Sequence, residues 1–161
     1  MQPTGRKSAA DLGTLVSKRR AMKIYIASSW KNQHAVEMLT DHLRTKGHQV
    51  LSFIERAVAD EGRTNIKFDF EQWINSEDGL DKFRYDTDGA TKSKLVIYIG
   101  PSGTDAWAEV GAAWGCGIEI IGLWAKGEPA GLMRHMVDWF TDYRVLLEAI
   151  PETNQSVQPT R

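Results

Sequence analysis

The sequence predicts one three-layer α/β/α domain built around a parallel sheet of about five strands. Short apolar runs recur along the chain, and helical patterns separate them. The run Leu95-Val96-Ile97-Tyr98-Ile99 is apolar without interruption, as expected of a strand covered on both faces. Strands joined by helical crossovers pair in parallel and carry helices on both sides.

Residues 1–21 are polar and basic without periodicity, and are expected to form a flexible extension, with Met22 as an alternative start. The domain is expected to span 22–151, and 152–161 to be a flexible polar tail. Lys23-Ile24-Tyr25-Ile26-Ala27 reads as the first strand. A helix follows from about Asn32 to Lys46, with Ala35, Met38, Leu39 and Leu43 at helical spacing and Gly47 as its stop. Gln49 to Phe53 reads as the second strand, and Glu55 to Asn65 as a long polar loop. Two helical pieces, 67–77 and 79–92, are expected to break at Gly79. After the strand Leu95–Ile99 come a helix at Asp105–Trp114 and a strand at Ile118–Trp124. Pro129 is expected to open a short helix to Met136, before a weak strand at Val137–Phe140 and a last helix at Asp142–Ile150.

The 161 residues, 42% hydrophobic with a formal net charge of -1, suffice for a core and argue against a general grip on nucleic acid. Lys18-Arg19-Arg20 reads as a solvated basic cluster. The single cysteine, Cys116, rules out a disulfide within the chain and reads as a small buried residue at a helix end. His34, His42, His48 and His135 are scattered without ligand spacing, so no metal site is expected; His34 and His42 read as helix-surface positions. Absence of a membrane-length apolar run points to a cytoplasmic protein.

Ligands of such sheets bind beyond the carboxyl ends of the strands. Here those ends are Ser28-Ser29-Trp30-Lys31 and the segment Gly100-Pro101-Ser102-Gly103-Thr104-Asp105. Gly100 and Gly103 would let the backbone wrap a ligand, and the following helix would aim N–H groups at an anion. Glu109 would lie in the first turns of that helix, where the dipole favours its ionised form. Position alone leaves it open between an exposed helix residue and a functional carboxylate. Asp86, two turns before Ser93, could reach the same cleft, and an ionised Glu109 would then raise its pKa; Asp88 reads as an ordinary surface acid. Tyr25 reads as core or as a site residue, and Trp30 as a lid over it. Ser28, Ser29 and Lys31 would suit a sugar or phosphate. Trp73, Trp124, Trp139 and Phe140 read as packing residues, with Trp107 and Trp114 as a core or subunit contact.

Together the segments Ile24-Tyr25 to Trp30, Asp86 ahead of Ser93-Lys94-Leu95-Val96-Ile97, and Gly103 to Ala106-Trp107-Ala108-Glu109-Val110-Gly111 resemble the nucleoside 2-deoxyribosyltransferase family and its 2′-deoxynucleoside 5′-monophosphate N-glycosidase relatives. The resemblance covers about 22–124. It implies a Rossmann/flavodoxin-like fold, no cofactor, a small nucleoside or nucleotide as substrate, and a homodimer or higher homo-oligomer whose neighbouring subunits complete the site. It also implies that Glu109 attacks C1′ of a 2-deoxyribosyl group, Asp86 protonates the departing base and Tyr25 orients Glu109. The transferases usually carry acidic residues just before the glycine turn, where this chain has Gly100-Pro101-Ser102. Pro-Ser-Gly looks closer to the phosphate-binding turn of the monophosphate glycosidases, with Ser29 and Lys31 placed to assist. Asp105 is an awkward anion in such a turn. Two other readings stand beside this one: a non-catalytic nucleotide-binding or sensing module, and an NAD-cleaving enzyme.

Overall fold

Residues 20–55 and 70–153 are described by a computed structural model. Most of the expected 55–65 loop, the start of the first helical piece at 67–69, Lys18-Arg19 with nearly all of the N-terminal extension, and the tail from 154 lie outside the described residues.

Five strands form one sheet: β1 (Lys23–Ala27), β2 (Gln49–Ser52), β3 (Leu95–Ile99), β4 (Glu119–Leu123) and β5 (Asp138–Phe140). Their order is β2-β1-β3-β4-β5, and every pair is parallel. Five α-helices lie wholly within the described residues: α1 (Gln33–Thr45), α2 (Phe70–Ile74), α3 (Glu77–Lys92), α4 (Thr104–Gly115) and α5 (Tyr143–Ala149). Phe53, Ile54 and Glu55 are helical too, so the second strand stops at Ser52 rather than Phe53 and the expected loop does not begin at Glu55. Single 3₁₀ turns lie at Trp30–Asn32 and Leu132–Met136.

Strand alternation divides the core into two layers. Ile24 and Ile26 of β1 and Leu95, Ile97 and Ile99 of β3 pack with Val36, Leu39 and Leu43 of α1 and Leu146 and Leu147 of α5. Tyr25, Val96 and Tyr98 point the other way, toward Ala90 of α3 and Ala106, Val110 and Ala113 of α4. Each fully buried aliphatic side chain stabilises by about 1.5–3 kcal/mol, so the aliphatic first layer supplies much of the stability. The second layer carries the polar groups. After β2 the chain crosses back past β1 to β3, so the strand order reverses between β1 and β3, and in open α/β sheets ligands bind at the carboxyl ends of the strands beside such a reversal.

Several local expectations are corrected. The break between the helical pieces falls at Asn75-Ser76 rather than Gly79. Ser76 caps α3 by accepting from the Gly79 N–H at 3.2 Å, and Gly79 packs so tightly that a Cβ there would meet the Trp73 carbonyl oxygen at 2.3 Å. Pro129 opens no helix, since the 3₁₀ turn begins only at Leu132. Cys116 caps α4 but is exposed, because it ends the helix on its solvent side. Trp114 is largely exposed rather than core, and Trp124 is covered over only part of its surface, 38% remaining exposed. The tail is anchored through Thr153, whose N–H and hydroxyl donate to the Lys46 carbonyl at 2.9 and 3.0 Å. His48, buried, bonds the Met22 N–H and the Pro151 carbonyl, tying both ends of the domain together. No helix among the described residues is long and apolar enough to cross a membrane.

Candidate functional site

Tyr25 sits mid-strand in β1, fully buried, with its ring directed at α3. Helix α3 can approach because residue 89 is glycine: a Cβ there would lie 2.4 Å from Tyr25 Cδ2. Asp86, one turn before Gly89, shares that inner face. The Tyr25 hydroxyl accordingly donates to Asp86 Oδ1 at 3.2 Å. Glu109 enters from α4, and the Tyr25 hydroxyl also favours its ionised form. Three polar side chains from three elements thus meet within an apolar layer. Asp88 stays outside, paired with Lys92 at 2.8 Å.

The electrostatics differ from expectation. The pKa of Glu109 is pushed up to about 8, chiefly by burial and then by the negative charge of Asp86, with Asp105 adding to it and the Tyr25 hydrogen bond opposing it. Position near the start of α4 was expected to keep Glu109 ionised. Desolvation outweighs the dipole, which fades beyond the first turn. Burial likewise drives the Tyr25 phenol far above its usual range, reinforced by both carboxylates, so it acts as a neutral donor. Oε2 of Glu109 is buried and has no hydrogen-bond partner among the described residues.

Above this cluster, the ends of β1 and β3 are knotted together. The hydroxyls of Ser28 and Ser102 donate to the Ile99 carbonyl at 3.0 and 2.7 Å. Asn32, which the sequence reading missed, donates to the Ile99 and Pro101 carbonyls at 3.1 and 2.9 Å. Its position four residues after Ser28, at the first turn beyond the strand, was the available signal. The Ser102 N–H donates to the Tyr98 hydroxyl at 3.1 Å. Both Ser102 donors are therefore committed within the protein, and neither is free for a phosphate, which lacks protons of its own to offer. Gly103 caps α4 with its backbone open to solvent, and Asp105 is exposed on the first turn. Ser29 keeps a buried hydroxyl with no partner among the described residues. Lys31 is exposed. Trp30 is no lid over Tyr25; it packs edge-on against Phe53, with ring centroids 5.5 Å apart.

Glu128 is the principal residue missed. Buried on the loop after β4, it accepts from the Tyr98 hydroxyl on both oxygens at 2.9 Å and from Trp107 Nε1 at 3.2 Å. The Tyr98 phenol is shifted upward by burial and by Glu128. A Cβ at Gly100 would lie 2.1 Å from Glu128 Oε2, so this glycine serves the carboxylate rather than a ligand's approach. The cue in the sequence was Tyr98 itself, since a buried phenol needs a partner. Gly111 has open space where its side chain would be, and close packing does not require it. Among the described residues no cluster of three or more His, Cys, Asp or Glu could hold a metal ion.

No protein-family model matches the chain, and no curated protein sequence matches it either. Solved structures do. A 2-deoxyribosyltransferase from the psychrotolerant bacterium Bacillus psychrosaccharolyticus aligns with a TM-score of 0.59 at 19% identity, over 81% of this chain and 96% of its own. The CMP N-glycosidase BcmB of Clostridium botulinum aligns with a TM-score of 0.50 at 23% identity, over 78% of this chain and 95% of its own. At these identities the likeness is one of backbone architecture, and the chain has the Rossmann/flavodoxin-like fold of both.

Proposed function

We propose that this protein cleaves or transfers the N-glycosidic bond of a 2′-deoxynucleoside or its 5′-monophosphate. The observation that carries the reading is the meeting of two partly buried carboxylates, Glu109 and Asp86, at the buried hydroxyl of Tyr25, on the strand beside which the sheet order reverses. Displacement at an anomeric carbon calls for a nucleophilic carboxylate and a second acid able to protonate the leaving base. Two carboxylates close enough to influence each other's ionisation share protons as a pair. With one proton between them, the productive form has Asp86 protonated and Glu109 charged. The unpartnered Oε2 of Glu109 is an acceptor left without a protein donor, suited to attack. Tyr25, neutral and donating, holds the two acids in register. The likeness to a deoxyribosyltransferase and a CMP N-glycosidase supports the same bond as target.

In this reading the attack of Glu109 on C1′ breaks the bond to the base nitrogen as Asp86 delivers its proton. Water or a second base then displaces the sugar from Glu109, with Asp86 as base. Ser29, with its unpaired hydroxyl, and the N–H groups opening α4 after Gly103 are candidates to meet the sugar or its 5′ substituent. With Ser102 committed and Asp105 and Glu109 close by, the turn favours an uncharged 5′ end, and a monophosphate would draw on Lys31.

The test is base release. Purified protein incubated with deoxynucleosides, their monophosphates and NAD is expected to liberate free base from at least one deoxy substrate. Glu109→Ala should reduce the rate by about 10³-fold or more. Tight binding without release would support a sensing module instead, and release from NAD alone would point to an NAD-cleaving enzyme.

A further inference from the structure

We propose that Glu128 is a positioning residue: through Tyr98 and Trp107 it fixes the Gly100–Gly103 turn and thereby the placement of Glu109. The inference rests on the reading of Glu109 as nucleophile, but its structural basis is separate. Glu128 is 9% exposed, no cation neutralises it among the described residues, and all three hydrogen bonds to its carboxylate come from the segment that leads into and forms α4. A buried carboxylate without a counter-ion is costly unless its donors are rigidly supplied.

The chain of contacts is short. Glu128 accepts from the Tyr98 hydroxyl, and the same hydroxyl accepts the Ser102 N–H at 3.1 Å. A hydroxyl that both donates and accepts is fixed in rotation, so Glu128 decides which way its lone pair faces the turn. On the other side Glu128 Oε1 holds the indole of Trp107, which packs against Tyr98 with centroids 4.8 Å apart and the rings tilted by 44°. Trp107 lies two residues before Glu109 and opens the helical ladder by donating its backbone N–H to Gly103 at 3.3 Å. Gly100 completes the clamp, its missing side chain leaving the space that Glu128 Oε2 occupies. The loop after β4 therefore grips both ends of the turn from which α4 starts. Glu109 is shifted by burial, Asp86, Asp105 and Tyr25. Tyr98→Phe and Gly100→Ala leave the Glu128 charge in the chain, so an effect they share with Glu128→Ala passes through the backbone turn rather than through that charge.

Two readouts test this on the full chain. Carbonyl ¹³C NMR of glutamate-labelled protein follows the titration of Glu109, identified by its loss in Glu109→Gln. In Glu128→Ala, water should reach the loosened turn and lower the Glu109 midpoint by about one unit or more. Base release should show kcat reduced by about 10²-fold with KM little changed, because misplacement acts on the reacting geometry. Glu128→Gln, which keeps an acceptor for Trp107, should recover part of both. Tyr98→Phe and Gly100→Ala break the same clamp from its other members and should give the same pair of changes, whether or not Glu128→Ala folds. Folded variants in which both the titration and kcat stay at wild-type values overturn the proposal. If wild-type protein releases no base from any substrate, the proposed activity fails while the titration still decides the role of Glu128.

Discussion

Two tyrosines, Tyr25 and Tyr98, project from adjacent strands toward the same helical layer, and each ends on carboxylate. They do different work. Tyr98 holds one buried acid in place, whereas Tyr25 stands between two whose ionisation is coupled. With Glu109 at about 8, loss of the pair's last proton falls in an accessible range. If Asp86 must donate that proton, kcat/KM should decline as pH rises above about 8. Tyr25→Phe removes a bond that favours ionised Glu109, and should move this decline to higher pH. Asp86→Asn removes the charge that raises Glu109 and the acid that limits activity at high pH. Its rate should fall by about 10²–10⁴-fold, and the decline at high pH should disappear. A wild-type profile still climbing between pH 8 and 9 would contradict Asp86 as the acid.

At the level of elements, the site depends on how closely α3 lies on β1. Gly89→Ala would drive a methyl group into the Tyr25 ring, at 2.4 Å from Cδ2. Overpacking of this kind costs about 1–3 kcal/mol. The variant should therefore melt earlier and lose activity beyond what its melting explains, because Asp86 moves with its helix. Unchanged activity in a folded variant would separate Asp86 from the chemistry. Elements of this kind were legible because their signals are local: the apolar period of β3, the glycine ending α1, the spacing of Asp86 before Ser93. Glu128 was not legible for the opposite reason. Its meaning comes from Tyr98, thirty residues away on another element, and nothing beside it in Gly127-Glu128-Pro129 marks it as buried. Pro129 misled by its suitability for a helix start, although no helical turn begins until Leu132.

For the whole molecule, the parallel order β2-β1-β3-β4-β5 puts aliphatic packing on one face and polar chemistry on the other. That separation makes the site a cost to folding. Glu109 has its folded pKa raised from an ordinary 4.5 to about 8, so the folded state holds its proton more tightly than the unfolded state. The resulting stability is fully present below about pH 4.5 and is lost as pH rises through about 8. Glu109→Gln should thus be more stable than wild type at pH 9 by up to a few kcal/mol, with little difference at pH 4; equal denaturation midpoints at both would contradict a buried, reluctantly charged Glu109. The most direct measurement of the central claim is mass spectrometry of protein quenched during turnover of a deoxy substrate. A 2-deoxyribosyl group should be found on the peptide containing Glu109 and be absent in Glu109→Gln. Undiminished base release by Glu109→Gln, or the sugar attached to Asp86 instead, would contradict the account.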